Sequence, residues 1–426
     1  MRIDPAASLQ GGLAVPGDKS ISHRAVLIGA IAEGTSVIEG FGRSADTEST
    51  IAAVRALGVE VGEGGDTVRV EGVGLRGLRK PAAAIDCGNA GTLARLLPGI
   101  LAGQDGEQFE LVGDESLGAR PMGRIADPLA AMGAVVETTG GRLPLRIEGR
   151  PLRGLRYELP VASAQVKSCL LLAGLYAEGA TAVAEPVATR DHTERMLRAA
   201  SAHVRSRPGL VEISPASRLE PLRLTVPGDF SSAAPFLVAA TLLPGSRLRL
   251  ADVGVNPTRI GLMDVLERMG ARISLYNRTS SGGEPVADIE VEHADLVATE
   301  VGADEVPRLI DELPLFALAA SMARGESAVR GAAELREKES DRIETVTSAL
   351  RALGVRIRAT EDGFRVRGVP ARPKGGTMDS RGDHRIAMLG AVAGLVSREG
   401  VRVGGAEAVS VSFPGFYELL DSVTYR

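Results

Sequence analysis

Apolar positions recur in a fixed order along this chain. A helix led by Ser, Asn or His and apolar over most of its length comes first, then a Gly turn and a short strand. A second helix ending Leu-Gly or Met-Gly follows, and a pair of alternating strands closes the unit. In the first copy, from about Pro16 to Gly72, Ile51, Val54 and Leu57 repeat at helical spacing, and Val68 and Val70 alternate ahead of a glycine. The second copy starts at GNAGTLARLL (88–97) and runs through RIADPLAAMG (124–133). The third starts at ASAQVKSCLLLAGL (162–175), with DHTERMLRAA (191–200) as its second helix. A fourth starts at VPGDF near Val226 and continues into RIGLMDVLERMG (259–270). A fifth starts near IDELPLFALAA (310–320), and a sixth starts at GDHRIAMLGAVAGL (382–395) and is cut short.

VPGDKSISHRAVLIG begins at Val15 and VPGDFSSAAPFLVAA at Val226. Four identical residues followed by a serine-bearing apolar helix mark a duplicated half. The pattern therefore predicts an α/β protein of two similar domains, each of three units. Residues 16–226 form one domain, and 1–15 with 227–426 form the other. The 426 residues fit this, since about 150 residues make a domain. If the six first helices are equivalent, their starts point one way, and the expected site lies between the domains, where ligand sites concentrate.

Composition narrows the chemistry. Aromatics are only 3% of the chain, which argues against base-stacking surfaces for nucleic acid, and a net charge of −5 argues against a general polyanion binder. An anion site must then be a local cluster of cations. Cys87 and Cys169 form neither a disulfide framework nor a CxxC pair, and read as small buried thiols. The opening MRIDPAASLQ lacks a signal-peptide pattern, and the longest apolar run, around Ile386–Val396, is too short to span a bilayer. A cytoplasmic protein without membrane contact is expected.

The helix starts carry the candidate chemistry. A helix start leaves backbone N–H groups unpaired and partly positive, so added cations make an anion site. The first start offers Lys19, Ser20 and Arg24 after a Pro-Gly turn, with Ser20 or Ser22 suited to cap the helix. GDKS lacks the spacing of a nucleotide-binding P-loop. The second start, CGNAGT, presents backbone amides, and Gly91 permits close approach of a ligand. GARPMGR adds Arg120 and Arg124, which fork onto carboxylate or phosphate. The third start offers Ser163, Gln165 and Lys167, and TRDHTER adds Arg190, with His192 read as a cap partner. No Cys/His spacing implies a metal. Asp311 and Glu312 lead the fifth helix, and ELREKESDRIE packs Lys338, Glu339, Asp341 and Arg342 together. The sixth start holds His384 and Arg385.

Together, the stretches PGDKSISHR, GNAGT, RPMGR, SAQVKS, TRDHTE, IDELP, LREKESDR and DHRIAM resemble the 5-enolpyruvylshikimate-3-phosphate synthase family, in its order and over nearly the full length. The resemblance implies two domains, each of three βαβαββ units around inward-facing helices. It implies transfer of the enolpyruvyl group of phosphoenolpyruvate to the 5-hydroxyl of shikimate 3-phosphate, with release of phosphate and without metal or cofactor. By motif match, Lys19 contacts both substrates. Ser20, Arg24, Ser163, Gln165 and Arg190 hold shikimate 3-phosphate. Gly91, Arg120, Arg342 and Arg385 hold phosphoenolpyruvate, with Gln165 shared. Asp311 and Lys338 lie on the reacting hydroxyl, Asp311 as proton acceptor, and Glu339 is a candidate proton donor. A monomer that closes its two halves on the first ligand is expected.

The same scaffold serves UDP-N-acetylglucosamine enolpyruvyl transferase. That family typically has Lys-Asn where this chain has Lys19-Ser20, and a reactive loop cysteine absent from GDESLGARP. A non-catalytic binder is disfavoured by retention of Lys19, Asp311, Lys338 and Glu339. An RNA-end-processing protein would carry a basic surface and a nucleotide site, neither of which is visible. One departure stands out: Val411 occupies a position where many members have a lysine. That change and TRDHTE are similar to the branch containing glyphosate-insensitive enzymes, yet Gly91 is retained, where some insensitive members have alanine. Glyphosate is therefore expected to inhibit in competition with phosphoenolpyruvate. Steady-state inhibition that is not competitive, or is absent at millimolar dose, would overturn this.

Overall fold

The computed structural model describes residues 1–426 and divides into two compact units. One comprises 17–226 with the hairpin tip 280–284, and the other comprises 1–16, 227–279 and 285–426.

Within the unit of residues 17–226, three four-stranded sheets share one topology. In the second unit of the repeat, Ile85–Asp86 lies parallel to Gln108–Val112, which pairs antiparallel with Arg142–Glu148, and Val135–Thr139 takes the edge. The third orders its strands alike: Arg156–Glu158, Thr181–Ala184, Leu210–Ile213, Val204–Arg207. A parallel pair needs a crossover, and helices Gly91–Leu101 and Ala164–Gly174 supply it. The first repeat carries helix Lys19–Ala30 but takes its parallel edge strand, Arg223–Thr225, from much later in the chain.

The other unit mirrors this exchange. Ser8–Ala14, the strand before the first Pro-Gly turn, lies parallel to Arg247–Gly254 in the sheet of the fourth repeat, with Thr424–Tyr425 antiparallel on its other side. Sequence periodicity starts each unit at its helix. The structure starts it one strand earlier, which is why the two duplicated turns sit where the chain changes unit. The fifth repeat has the same strand order, and the sixth is abbreviated to Gly376–Asp379, Val401–Gly404 and the antiparallel Arg2–Ile3.

The first helices are buried on nearly every side. Phe230–Leu242, Leu313–Met322 and His384–Val396 pack on one another in one unit, as Lys19–Ala30, Gly91–Leu101 and Ala164–Gly174 do in the other. The second helices are two-faced. In Ala45–Ala56, Ile51, Ala53 and Val54 are buried while Ala52, Arg55 and Ala56 face water. Each unit thus has its own core, and each places its sheets outside and its apolar helices inside. No helix is long and apolar enough to cross a membrane.

The inner helices approach closely at Gly99, where an added Cβ would stand 2.2 Å from the Cys169 carbonyl oxygen and 3.0 Å from its carbon. Both are backbone atoms, so the two helices must separate to admit a side chain. Gly99→Ala is expected to lower stability by about 1–3 kcal/mol through this overpacking. Chemical denaturation of the variant beside wild type measures it, and an unchanged midpoint would refute the close packing.

Candidate functional site

The structure gathers the candidate residues into two sets. Lys19, Ser20, Arg24, Gly91, Arg120, Ser163, Gln165 and Arg190 belong to the unit of residues 17–226. Asp311, Lys338, Glu339, Arg342 and Arg385 belong to the other.

In the first set, Asp18 caps helix Lys19–Ala30 by accepting from the Ile21 N–H at 2.9 Å. This corrects the assignment of the cap to Ser20 or Ser22. Ser22 is buried and accepts instead from the Gly42 N–H. Lys19, the first residue of the helix, reaches Asp46 Oδ2 at 2.7 Å, with side chains 19% and 9% exposed. His23 lies beneath, bonded to Thr50 Oγ1 at 2.6 Å, and burial drives its pKa down to about 3, so it is neutral. Arg24 is gripped at three points: Nε donates to Thr193 Oγ1 (2.7 Å), Nη1 to the Ser20 carbonyl (3.0 Å) and Nη2 to Ser168 Oγ (3.0 Å). Burial first, then the Arg190 charge, lowers its pKa to about 10, still fully protonated near neutrality. The two arginines thus lie within electrostatic range of each other.

The second and third helix starts meet beside it. Ser163 caps Ala164–Gly174 by accepting from the Val166 N–H, and Gln165 on the first turn accepts from Arg95 Nη1 at 2.6 Å and donates to Thr92 Oγ1 at 3.3 Å. Arg120 is buried and donates to Asn89 Oδ1 at 2.8 Å and Ser116 Oγ at 3.2 Å. Gly91 opens the second helix, and a Cβ there would stand 3.1 Å from Arg120 Nη1 and 3.5 Å from Arg95 Nη1. The glycine keeps space in front of two guanidinium groups at a helix N-terminus. Arg95 was missed in the sequence. The signal for it is a lone cation inside the otherwise apolar GTLARLLPGIL.

In the other unit the centre is Arg342, fully buried at the start of helix Arg342–Ala352. Its Nε donates to Asp383 Oδ2 at 2.8 Å, Nη2 to Glu339 Oε2 at 2.6 Å, and Nη1 to Asp311 Oδ1 at 3.2 Å. Burial alone would lower its pKa, but the three carboxylates outweigh burial and raise it. For Asp383 burial would raise the pKa, and the Arg342 charge wins and leaves it lowered. Lys338 is half-buried nearby, and burial moves its pKa down despite the Asp311 charge. Arg385 reaches the Ser231 carbonyl at 3.3 Å. Ser231 also donates to the buried Glu312 and accepts from Arg259 Nη2, while Arg259 Nη1 lies 3.9 Å from Asp311 Oδ2. Asp383 and Arg259 escaped the sequence reading, although an Arg-Ile pair opens the second helix at Arg124, Arg259 and Arg342 alike.

One further difference stands. His192 does not serve as a cap partner: it is buried against Glu284 Oε1 at 2.8 Å. The ELREKESDRIE stretch is a short 3₁₀ turn, Ala333–Glu337, then a bent link that hands Lys338 and Glu339 to the start of the next helix. Cys87 and Cys169 are buried, and burial pushes both thiols up to about 12.

The family model for EPSP synthase (3-phosphoshikimate 1-carboxyvinyltransferase) matches residues 3–420. The 3-phosphoshikimate 1-carboxyvinyltransferase of Citrifermentans bemidjiense is 50% identical over 426 residues, which is 100% of this chain and 99% of that protein. That of Geobacillus kaustophilus is 51% identical over 420 residues, 98% of each. Among solved structures, EPSP synthase from Acinetobacter baumannii superposes with a TM-score of 0.88 at 43% identity, covering 99% of this chain and 97% of that one. The enolpyruvyl transferase NikO from Streptomyces tendae shares the fold, with a TM-score of 0.78 at 19% identity over 99% and 96% of the two chains.

The Arg342–Asp383 pair gives an acid-stability signature. Asp383 has a lowered folded pKa, so its contribution is present above the unfolded carboxyl value of about 3.9 and is lost as pH falls through the folded value. Asp383→Asn is expected to cost about 3 kcal/mol at neutral pH. The gap from wild type should narrow as pH drops below about 4. Denaturation midpoints across pH test this, and a pH-independent gap would exclude it.

Proposed function

The chain belongs to the EPSP synthase family, and we propose that both of its clusters serve the reaction of 3-phosphoshikimate 1-carboxyvinyltransferase: enolpyruvyl transfer from phosphoenolpyruvate to the 5-hydroxyl of shikimate 3-phosphate. The observation that carries the assignment of roles is the position of Arg342, which bonds Asp311 through one terminal nitrogen and Glu339 through the other. One buried guanidinium thus holds the candidate base and the candidate acid side by side, and has the shape to take an anionic substrate.

The chemistry asks for such a pair. Attack of the 5-hydroxyl oxygen on C2 of phosphoenolpyruvate needs its proton removed, while the methylene C3 must gain one. In our reading Asp311 accepts the hydroxyl proton, with Lys338 close enough to steady the alkoxide. Glu339 donates to C3. An anion arriving on Arg342 competes for its Nη2 and brings negative charge beside Glu339, and both effects raise the proton affinity of that carboxyl. The tetrahedral adduct then expels phosphate from C2 and returns a methyl proton, which restores the enol ether.

Both substrates carry several negative charges. Arg24, Arg190, Ser163 and Gln165 are proposed to hold the shikimate 3-phosphate. Gly91, Arg120, Arg342 and Arg385 take the phosphoenolpyruvate, and Lys19 serves both. Cations and helix N-termini fixed beforehand offset the mutual repulsion without reorganising during the reaction. Arg95, bonded to Gln165 and facing the space before Gly91, joins the phosphoenolpyruvate group. We place the protein in the cytoplasm as a monomer.

A phosphate-release assay tests this reading. Phosphate should appear only when both substrates are present, and Asp311→Asn should lower kcat by about 10²–10⁴-fold, the usual worth of a positioned base. Release from phosphoenolpyruvate alone, or full activity in the variant, would overturn it.

A further inference from the structure

Lys167 is the most deeply buried cation of the unit of residues 17–226, and the reaction does not use it. It sits on the second turn of helix Ala164–Gly174, four residues after the Ser163 cap and two after Gln165, with its side chain 1% exposed. Its neighbours Val166, Cys169, Leu170 and Leu171 are all core residues, so packing alone would favour an apolar side chain there. A buried ammonium persists only where it is paired. Lys167 Nζ lies 2.7 Å from Glu194 Oε1 and 3.1 Å from Glu185 Oε2, both carboxylates themselves buried, and 3.4 Å from the Thr189 carbonyl oxygen.

These partners are not scattered. Glu185 also accepts from the Thr189 N–H at 3.0 Å and from Thr189 Oγ1 at 2.7 Å, so both ends of the segment 185–189 are held through one carboxylate. Arg190 is the next residue. Glu194 lies on helix His192–Ala199, where its neighbour Thr193 bonds Ser168 Oγ at 2.7 Å and accepts from Arg24 Nε. Two adjacent residues of one helix, Lys167 and Ser168, therefore grip two adjacent residues of another, Thr193 and Glu194. The loop bearing Arg190 is clasped between them.

We propose that Lys167 is a positioning residue for phosphate recognition: through Glu185 and Glu194 it fixes the Arg190 loop against the helix that presents Ser163 and Gln165. It touches neither substrate. Its effect falls on the phosphate of the hydroxyl-bearing substrate and leaves the enolpyruvyl donor and the proton transfers alone. This rests on the assignment of shikimate 3-phosphate given above.

The test compares wild type with Lys167→Met, which keeps the length and removes the charge. The KM for shikimate 3-phosphate should rise about 10–100-fold, with kcat and the KM for phosphoenolpyruvate within about 3-fold, the pattern of lost binding common to ground and transition states. Shikimate, which lacks the phosphate, should bind both proteins equally by calorimetry. A purely structural role would lower kcat for all substrates in proportion to the folded fraction and would not separate the two ligands. Should Lys167→Met fail to fold, Glu185→Gln carries the test, since it preserves shape and loosens only one side of the clasp; a rise of about 3–10-fold in the same KM is then expected. An unchanged preference for shikimate 3-phosphate over shikimate in a folded variant would overturn the proposal while leaving the function intact. A wild type that releases no phosphate from the two substrates would overturn the functional reading itself.

Discussion

The fold depends on a burial problem that no single repeat can solve. Helices such as Phe230–Leu242 and His384–Val396 are apolar around most of their circumference, and a twisted sheet covers only one side of such a cylinder. The remaining surface must be covered by other helices of the same kind. Gathering three repeats achieves this in each unit, with sheets outside and helices packed together within. Small residues such as Gly99 set how close the helices come.

Packing the helices together also brings their starts together, and this is where the chemistry arises. Each inner helix begins with unpaired N–H groups; the carboxylates of Asp18, Asp229 and Asp383 and the hydroxyl of Ser163 cap four of them, and the helices starting at Gly91 and Leu313 have no side-chain cap. The cations that meet at these ends are buried because the helices are. Arg24 and Arg120 in one unit and Arg342 in the other are held by several partners each, so their orientation is set before any ligand arrives. Buried charge of this kind adds little net stability, but it holds fixed, low-dielectric cations whose directions are set by the fold.

Much of this was legible in the sequence, and the gaps have physical causes. The six-fold periodicity and the VPGD duplication show the repeats because burial dictates them. The motif residues sort onto helix starts because apolar runs reveal where helices begin. Asp18 was passed over as a cap in favour of the nearby serines, although the same Gly-Asp step precedes the helices at 230 and 384. Arg95, Arg259 and Asp383 were missed because their roles come from neighbours far away in sequence; Arg342 to Asp383 spans 41 positions. The same holds for His192, whose partner Glu284 lies on a hairpin tip 92 positions away. Periodicity also cannot show that the first sheet borrows its edge from 223–225, since a short strand has no period of its own.

That borrowing imposes an order on synthesis. Ser8–Ala14 leaves the ribosome long before its parallel partner, which begins at Arg247, and the residue 17–226 unit waits for Arg223–Thr225 before its first sheet is complete. The strand Ser8–Ala14 therefore stays without this partner while the whole 17–226 unit is built. Contacts this distant along the chain slow folding and leave an exposed edge in the meantime.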